Sequence, residues 1–186
     1  LCDDGLPIEK SSRFQGYDRM VSEFTNRDNR MTTTLLKPGQ KYWDNNSHPR
    51  KSWNEQDLED CFTFGGGGGS GYHIWKWAAE REVADYYESY DYSFIRYAEV
   101  LLNYAEAAYE LDNQISDDDL NLSLNLVRNR VNPDMPKLTN AFVNANGLSM
   151  REEIRRERTV EFFLESFRFD DLKRWATAPD EMSMDM

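Results

Sequence analysis

Apolar residues over positions 92–113 recur by fours and threes. Phe94, Ala98, Leu101, Ala105 and Ala108 draw one stripe down a helix, and Ile95, Leu102 and Tyr109 widen it. Arg96, Glu99, Asn103, Glu106 and Glu110 fall on the opposite side. The three alanines leave room for a second backbone, so the pattern predicts packing on a partner helix rather than a sheet. A second helix is predicted over 117–131. Ser116 is its N-cap, Asp117, Asp118 and Asp119 place negative charge at its start, and Asn132-Pro133 ends it. Leu120, Leu124, Val127 and Val131 form its stripe, and Leu122 and Leu126 on another side predict burial on two faces. The two helices read as an antiparallel hairpin. Ser149-x-x-Glu152 is a capping box that opens a third helix reaching to about Glu165, and a fourth element covers 167–175.

The remainder is less regular. Residues 1–16 are polar and unpatterned and predict a loosely held arm. Tyr17, Met20, Val21 and Phe24 recur at helical spacing, enough for two turns. The run over 24–39 combines β-branched and apolar residues with a Pro-Gly signal and predicts a short strand and a turn. Residues 41–61 read as a loop holding Tyr42, Trp43 and Trp53, and the glycine run 65–71 behaves as a flexible linker. Residues 72–77 favour a strand, Trp75, Trp77 and Trp175 read as core, and 135–148 reads as a connector. The chain therefore divides into a loop-rich segment, 1–71, and a helical part, 72–186.

Composition narrows the function. The net charge of -12 argues against nucleic acid as a partner, and an aromatic content of 13% argues against wholesale disorder. No apolar run approaches the roughly 20 residues of a transmembrane helix. Cys2 and Cys61, far apart, make neither a disulfide framework nor a zinc site.

Three segments taken in order resemble one family. They are F-T-N-R-D-N-R-M-T-T-T-L-L-K-P-G (24–39), I-R-Y-A-E-V-L-L-N-Y-A-E-A (95–107) and E-R-T-V-E-F-F-L-E-S-F-R-F-D-D-L-K-R-W (157–175). Together they are similar to the C-terminal part of the SusD/RagB family of surface glycan-binding lipoproteins, over roughly residues 17–176. The resemblance implies a mainly α fold of tetratricopeptide-like helix pairs, with long irregular loops and a few short strands. It implies non-catalytic oligosaccharide binding on the extracellular face of the outer membrane, without a cofactor. The implied partner is a SusC-like TonB-dependent transporter. Membrane attachment would come only through a lipid anchor on an N-terminal portion that precedes this chain.

Individual side chains bear on that expectation. Glu157, Glu161 and Glu165 lie at i, i+4 spacing, where neighbouring carboxylates reach glycosidase separations. Arg155, Arg156, Arg158, Arg168 and Arg174 crowd the same region, the opposite of the cation-free burial a glycosidase acid needs. Glu157 and Glu161 also share the inward face of Met150 and Ile154, so structural ion pairing is the expectation and no enzyme is read here. His48 and His73 stand alone, without a metal-binding interval, and the glycine run lacks a phosphate loop's lysine. The loop offers a better site. Tyr42, Trp43 and Trp53 present flat faces for sugar rings, and Asn45, beside Asp44 and Asn46, supplies hydroxyl partners. Anchoring of these aromatics to the helices is the alternative, and packing is the commoner use of buried aromatics. For the whole chain the alternative function is a helical-repeat scaffold that binds partner proteins.

Overall fold

The computed structural model describes residues 1–37, 72, 74–77, 87 and 91–182. The loop with Tyr42, Trp43, Asn45 and Trp53, the glycine run, His48, His73 and Cys61 lie outside the described residues. The fold is mainly helical. In place of the short strands expected from the sequence, the described residues hold two isolated antiparallel bridges, Cys2 with Arg27 and Leu35 with Ile74. The chain divides into two compact units, Leu1–Arg96 with Arg128–Lys137, and Tyr97–Val127 with Leu138–Met186.

In the first unit α1 (Met20–Phe24) and α2 (Asn29–Thr34) come after the N-terminal arm. The arm is tied down. The Asp28 amide donates to the Leu1 carbonyl at 3.2 Å, and Cys2 is buried with Phe24, Leu36 and Met135 among the apolar groups of this unit. Residues 29–34 are helical, contrary to the strand expected there. Asp28 supplies the reason: its carboxylate accepts from the Arg30 amide at 2.8 Å, and this cap outweighs the strand preference of three consecutive threonines. The start of α2 is joined to residues a hundred positions away. The Asn29 amide donates to Asn132 Oδ1, and Asn29 Nδ2 donates to the Val131 carbonyl, both at 2.8 Å.

The second unit is built on α3 (Tyr97–Asp112), with α4 (Asp117–Leu122), α6 (Asn140–Ala145), α7 (Met150–Glu161), α8 (Arg168–Trp175) and the short α9 (Ala178–Glu181). The division between the units passes through α5 (Leu124–Val131). Helix α3 packs against α7 and α4. Ala98, Leu101, Leu102 and Ala105 form its buried stripe, joined in one core by Leu120, Leu124, Leu138, Val143, Met150, Ile154 and Phe162.

Several expectations are corrected. Helix α3 begins at Tyr97, so Phe94 and Ile95 sit in a bend before it and are exposed. The helix expected over 117–131 is broken at Ser123, whose backbone (φ -130°, ψ -99°) lies outside the helical region. Leu120, Leu124 and Val127 are buried as their stripe predicts, while Leu122 and Leu126 are exposed rather than buried. Ser116 caps α4 as expected, accepting from the Asp119 amide at 3.0 Å. Ser149 makes no side-chain cap bond, and Glu152 pairs instead with Arg155 at 3.5 Å. The connector contains α6, capped by Thr139, which accepts from the Phe142 amide at 3.1 Å.

Candidate functional site

Two groups of side chains stand out, one in each unit. In the first unit residues 74–77 dock on the end of α2, where the Trp75 and Lys76 amides donate to the Thr34 carbonyl at 2.7 and 3.0 Å. This fixes the backbone that carries Trp77. Trp77 adopts a left-handed conformation (φ 74°), unusual for a bulky residue, and its ring turns outward. It is 38% exposed, which corrects the expectation that it belongs to the core. Its indole stacks on Tyr92, with centroids 5.5 Å apart and planes at 27°; Phe94 meets Tyr92 edge-on at 6.0 Å and 88°. Tyr92 is 56% exposed and Phe94 91%. An exposed aromatic stack presents flat, electron-rich faces, a phenolic hydroxyl and an indole N–H, the chemistry that takes the C–H face of a sugar ring. Tyr72, also in this unit, donates its hydroxyl to Glu23. Burial, the hydrogen bond to Glu23 and the charge of that carboxylate push the phenol up to about 12.

In the second unit a polar network joins α3, α7 and α8. Glu106 falls on the polar side of the sequence pattern, yet it is buried. It accepts from Arg174 through both Nη atoms and from Trp175 Nε1 at 2.7 Å. Arg174 Nε also reaches Asp171 Oδ1 at 2.8 Å, Arg158 Nε donates to both Asp171 oxygens at 3.0 and 2.8 Å, and Arg158 Nη1 donates to Asn103 at 2.7 Å. Burial pushes the Glu106 carboxyl up, but the bonds from Arg174 and Trp175 and the charges of Arg174 and Arg158 outweigh it and hold the group below its ordinary range. Such a carboxylate is fixed as an acceptor and is a poor general acid. Glu157, Glu161 and Glu165 are buried, the first two on the face of α7 that carries Met150 and Ile154. Among the described residues no group of three or more His, Cys, Asp or Glu is placed to hold a metal ion. No helix among them is long and apolar enough to cross a membrane.

The sequence pattern contained only part of this. Trp77 lies in a segment that reads as a strand, where alternation does not say which tryptophan faces out. The turn at its positive φ decides that. Glu106 sits one helical turn past Leu102, and its partners Arg174 and Trp175 are almost seventy residues away.

The SusD family model matches residues 2–186. The chain belongs to the SusD family. Comparison with curated proteins and with solved structures finds no match. Membership gives the SusD-family chain its broad character: glycan binding at the cell surface by a non-catalytic protein, in a family whose members are generally outer-membrane lipoproteins. The mainly α architecture agrees with the fold that the three sequence segments imply.

Proposed function

We propose that this chain binds oligosaccharide on the extracellular face of the outer membrane without cleaving it, and serves uptake through a SusC-like TonB-dependent transporter. The observation that carries the reading is the exposed Trp77–Tyr92 stack on a SusD-family chain. Monomeric proteins seldom leave such an aromatic surface in water without a use for it. Tyr42, Trp43, Asn45 and Trp53 belong to the same proposal as a second source of flat rings and hydroxyl partners. Calorimetric titration with neutral oligosaccharides tests it. Trp77→Ala, Trp43→Ala and Trp53→Ala are each expected to weaken binding by roughly 1–3 kcal/mol, the scale of one aromatic stacking partner in base recognition, with melting temperature almost unchanged. Wild-type affinity in all three variants, or loss of affinity only together with loss of fold, removes the aromatic reading. Co-purification of the full-length protein with a transporter barrel tests the uptake role.

A second reading, a helical scaffold for a protein partner, has its own observation. Tyr97, Val100 and Leu111 on α3 are exposed apolar side chains at helical spacing. Under that reading the tetratricopeptide-like pairing of α3 with its neighbours leaves a helix face for a peptide. Val100→Lys then abolishes partner binding and leaves oligosaccharide binding intact.

A further inference from the structure

Between α7, α8 and α9 the second unit contains a pocket of about 220 Å3, lined by three arginines, two glutamates, Thr159 and the Trp175 ring. That is below the roughly 300–1,000 Å3 of drug-sized sites and suits a single small ring. Arg155 lies over the Trp175 ring, its guanidinium carbon 5.0 Å from the centroid. Its Nε is buried and has no hydrogen-bond acceptor among the described residues. Its Nη1 reaches Glu152 at 3.5 Å, and the Glu152 side chain is 56% exposed. A buried guanidinium donor left unsatisfied is costly, and the planar fork of arginine matches carboxylates and other oxyanions. Arg168 also lies over the Trp175 ring, its guanidinium carbon 5.9 Å from the centroid. It donates through Nη1 to Thr159 Oγ1 at 3.0 Å and through Nη2 to Glu181 Oε2. Glu181 stands on the four-residue α9 with its side chain 40% exposed, so an incoming anion can replace it. Trp175 is held in place by its bond to Glu106.

We propose that this pocket takes one acidic sugar residue. Its carboxylate or sulfate lies on Arg155 and Arg168, the two guanidiniums held over Trp175, and its ring fills the pocket beside them, while Glu181 is the internal anion that the ligand displaces from Arg168. The sugar part rests on the glycan-binding reading; the acidic group and its place in the second unit go beyond it. The test is calorimetric titration of the whole chain with glucuronate, glucose 6-sulfate, glucose and inorganic sulfate. Glucuronate or glucose 6-sulfate is expected to bind, glucose is not, and the stronger of the two acids identifies the oxyanion. Arg155→Gln is expected to weaken binding by about tenfold or more, the loss of a charge-assisted fork. Glu181→Gln is expected to strengthen it several-fold by removing the competing carboxylate. Should Arg155→Gln fail to fold in a thermal melt, Arg168→Gln takes its place, since that side chain is 42% exposed.

Failure of both acids to bind wild type and Glu181→Gln overturns the proposal, as does unchanged affinity in the arginine variants. Inorganic sulfate binding as tightly as either sugar acid overturns the assignment to a sugar. Neutral-oligosaccharide binding is measured in the same samples with Trp77→Ala. Its absence while acid binding persists counts against the aromatic platform alone, and the converse counts against this pocket alone.

Discussion

Asp28 caps α2 and neutralises Arg30 within the same turn. Arg30 Nε and Nη2 donate to its two oxygens at 3.0 and 2.6 Å, and both side chains are almost fully buried. Burial by itself pushes the Asp28 carboxyl up; the Arg30 fork, the Arg30 charge, its amide and the Asn132 side chain reverse that and hold it low. Removing one partner of a buried ion pair costs about 3–5 kcal/mol, because the other charge stays in the interior without its counter-ion. Asp28→Ala is therefore expected to lower stability by that amount, with part of the loss owed to the missing cap. Chemical denaturation of wild type and variant measures it, and a loss below about 1 kcal/mol would show that the pair is no better than a surface one. This residue also marks how far a sequence can be read. An aspartate one residue before N-R-M-T-T-T is a legible cap, but the three threonines pull the other way. The competition is settled by Asp28 meeting Arg30 in a buried setting, which no local pattern announces. Trp77 is the same kind of case: its outward turn depends on a positive φ, not on its neighbours' polarity.

At the scale of elements, the long stripe of α3 and the short α1, read from the spacing of Met20, Val21 and Phe24, were legible, but α2 and α6 were not. The stripe of Ala98, Leu101, Leu102 and Ala105 survives as the buried face of α3, because sixteen residues give a 3.6-residue period room to show itself. Helix α6 has six residues, too few for a stripe, and its segment read as a connector. The break at Ser123 escaped because the residues around it, Leu120, Leu122, Leu124 and Leu126, fit an uninterrupted helix equally well. Each side of the break carries one leucine of either class, Leu120 and Leu124 buried and Leu122 and Leu126 exposed, and substitutions should reveal them. Leu126→Gln, on the exposed side, is expected to change stability by no more than about 0.5 kcal/mol. Ala105 is 0% exposed in the core cluster, so Ala105→Glu places an unpaired charge there and is expected to cost on the order of 3–5 kcal/mol. For a chain of this size that lowers the melting temperature by roughly 6–20 °C or prevents folding. Circular-dichroism melts of the two variants check both expectations; an Ala105→Glu protein as stable as wild type would sink the packing assigned to α3.

Over the whole molecule, each compact unit holds a buried, arginine-bound carboxylate with a lowered pKa, Asp28 in the first and Glu106 in the second. The partition itself was not legible. Arg128–Lys137 joins a unit that begins at Leu1, through Asn29 bonds to Val131 and Asn132 that span about a hundred positions and leave no periodic trace. Its consequence for acid stability can be worked out. Both carboxyls have native pKa values below their ordinary ones, 3.8 for the aspartate and 4.5 for the glutamate. The folded state therefore binds fewer protons than the unfolded chain through that range. The stability these groups contribute is complete above the unfolded values and is lost as pH falls through the lowered native ones. The midpoint of urea denaturation is thus expected to be flat above about pH 6 and to decline below about pH 5, as each unit loses its anion. Asp28→Asn and Glu106→Gln remove the titrating group, so each variant starts less stable at pH 7 and declines less steeply into acid, and the double variant is flatter than either. Following the denaturation of all four proteins by circular dichroism from pH 7 to about pH 3 provides the comparison. Equal acid slopes in wild type and double variant would mean that other carboxylates govern acid unfolding and that these two pairs do not set the stability gained at neutral pH.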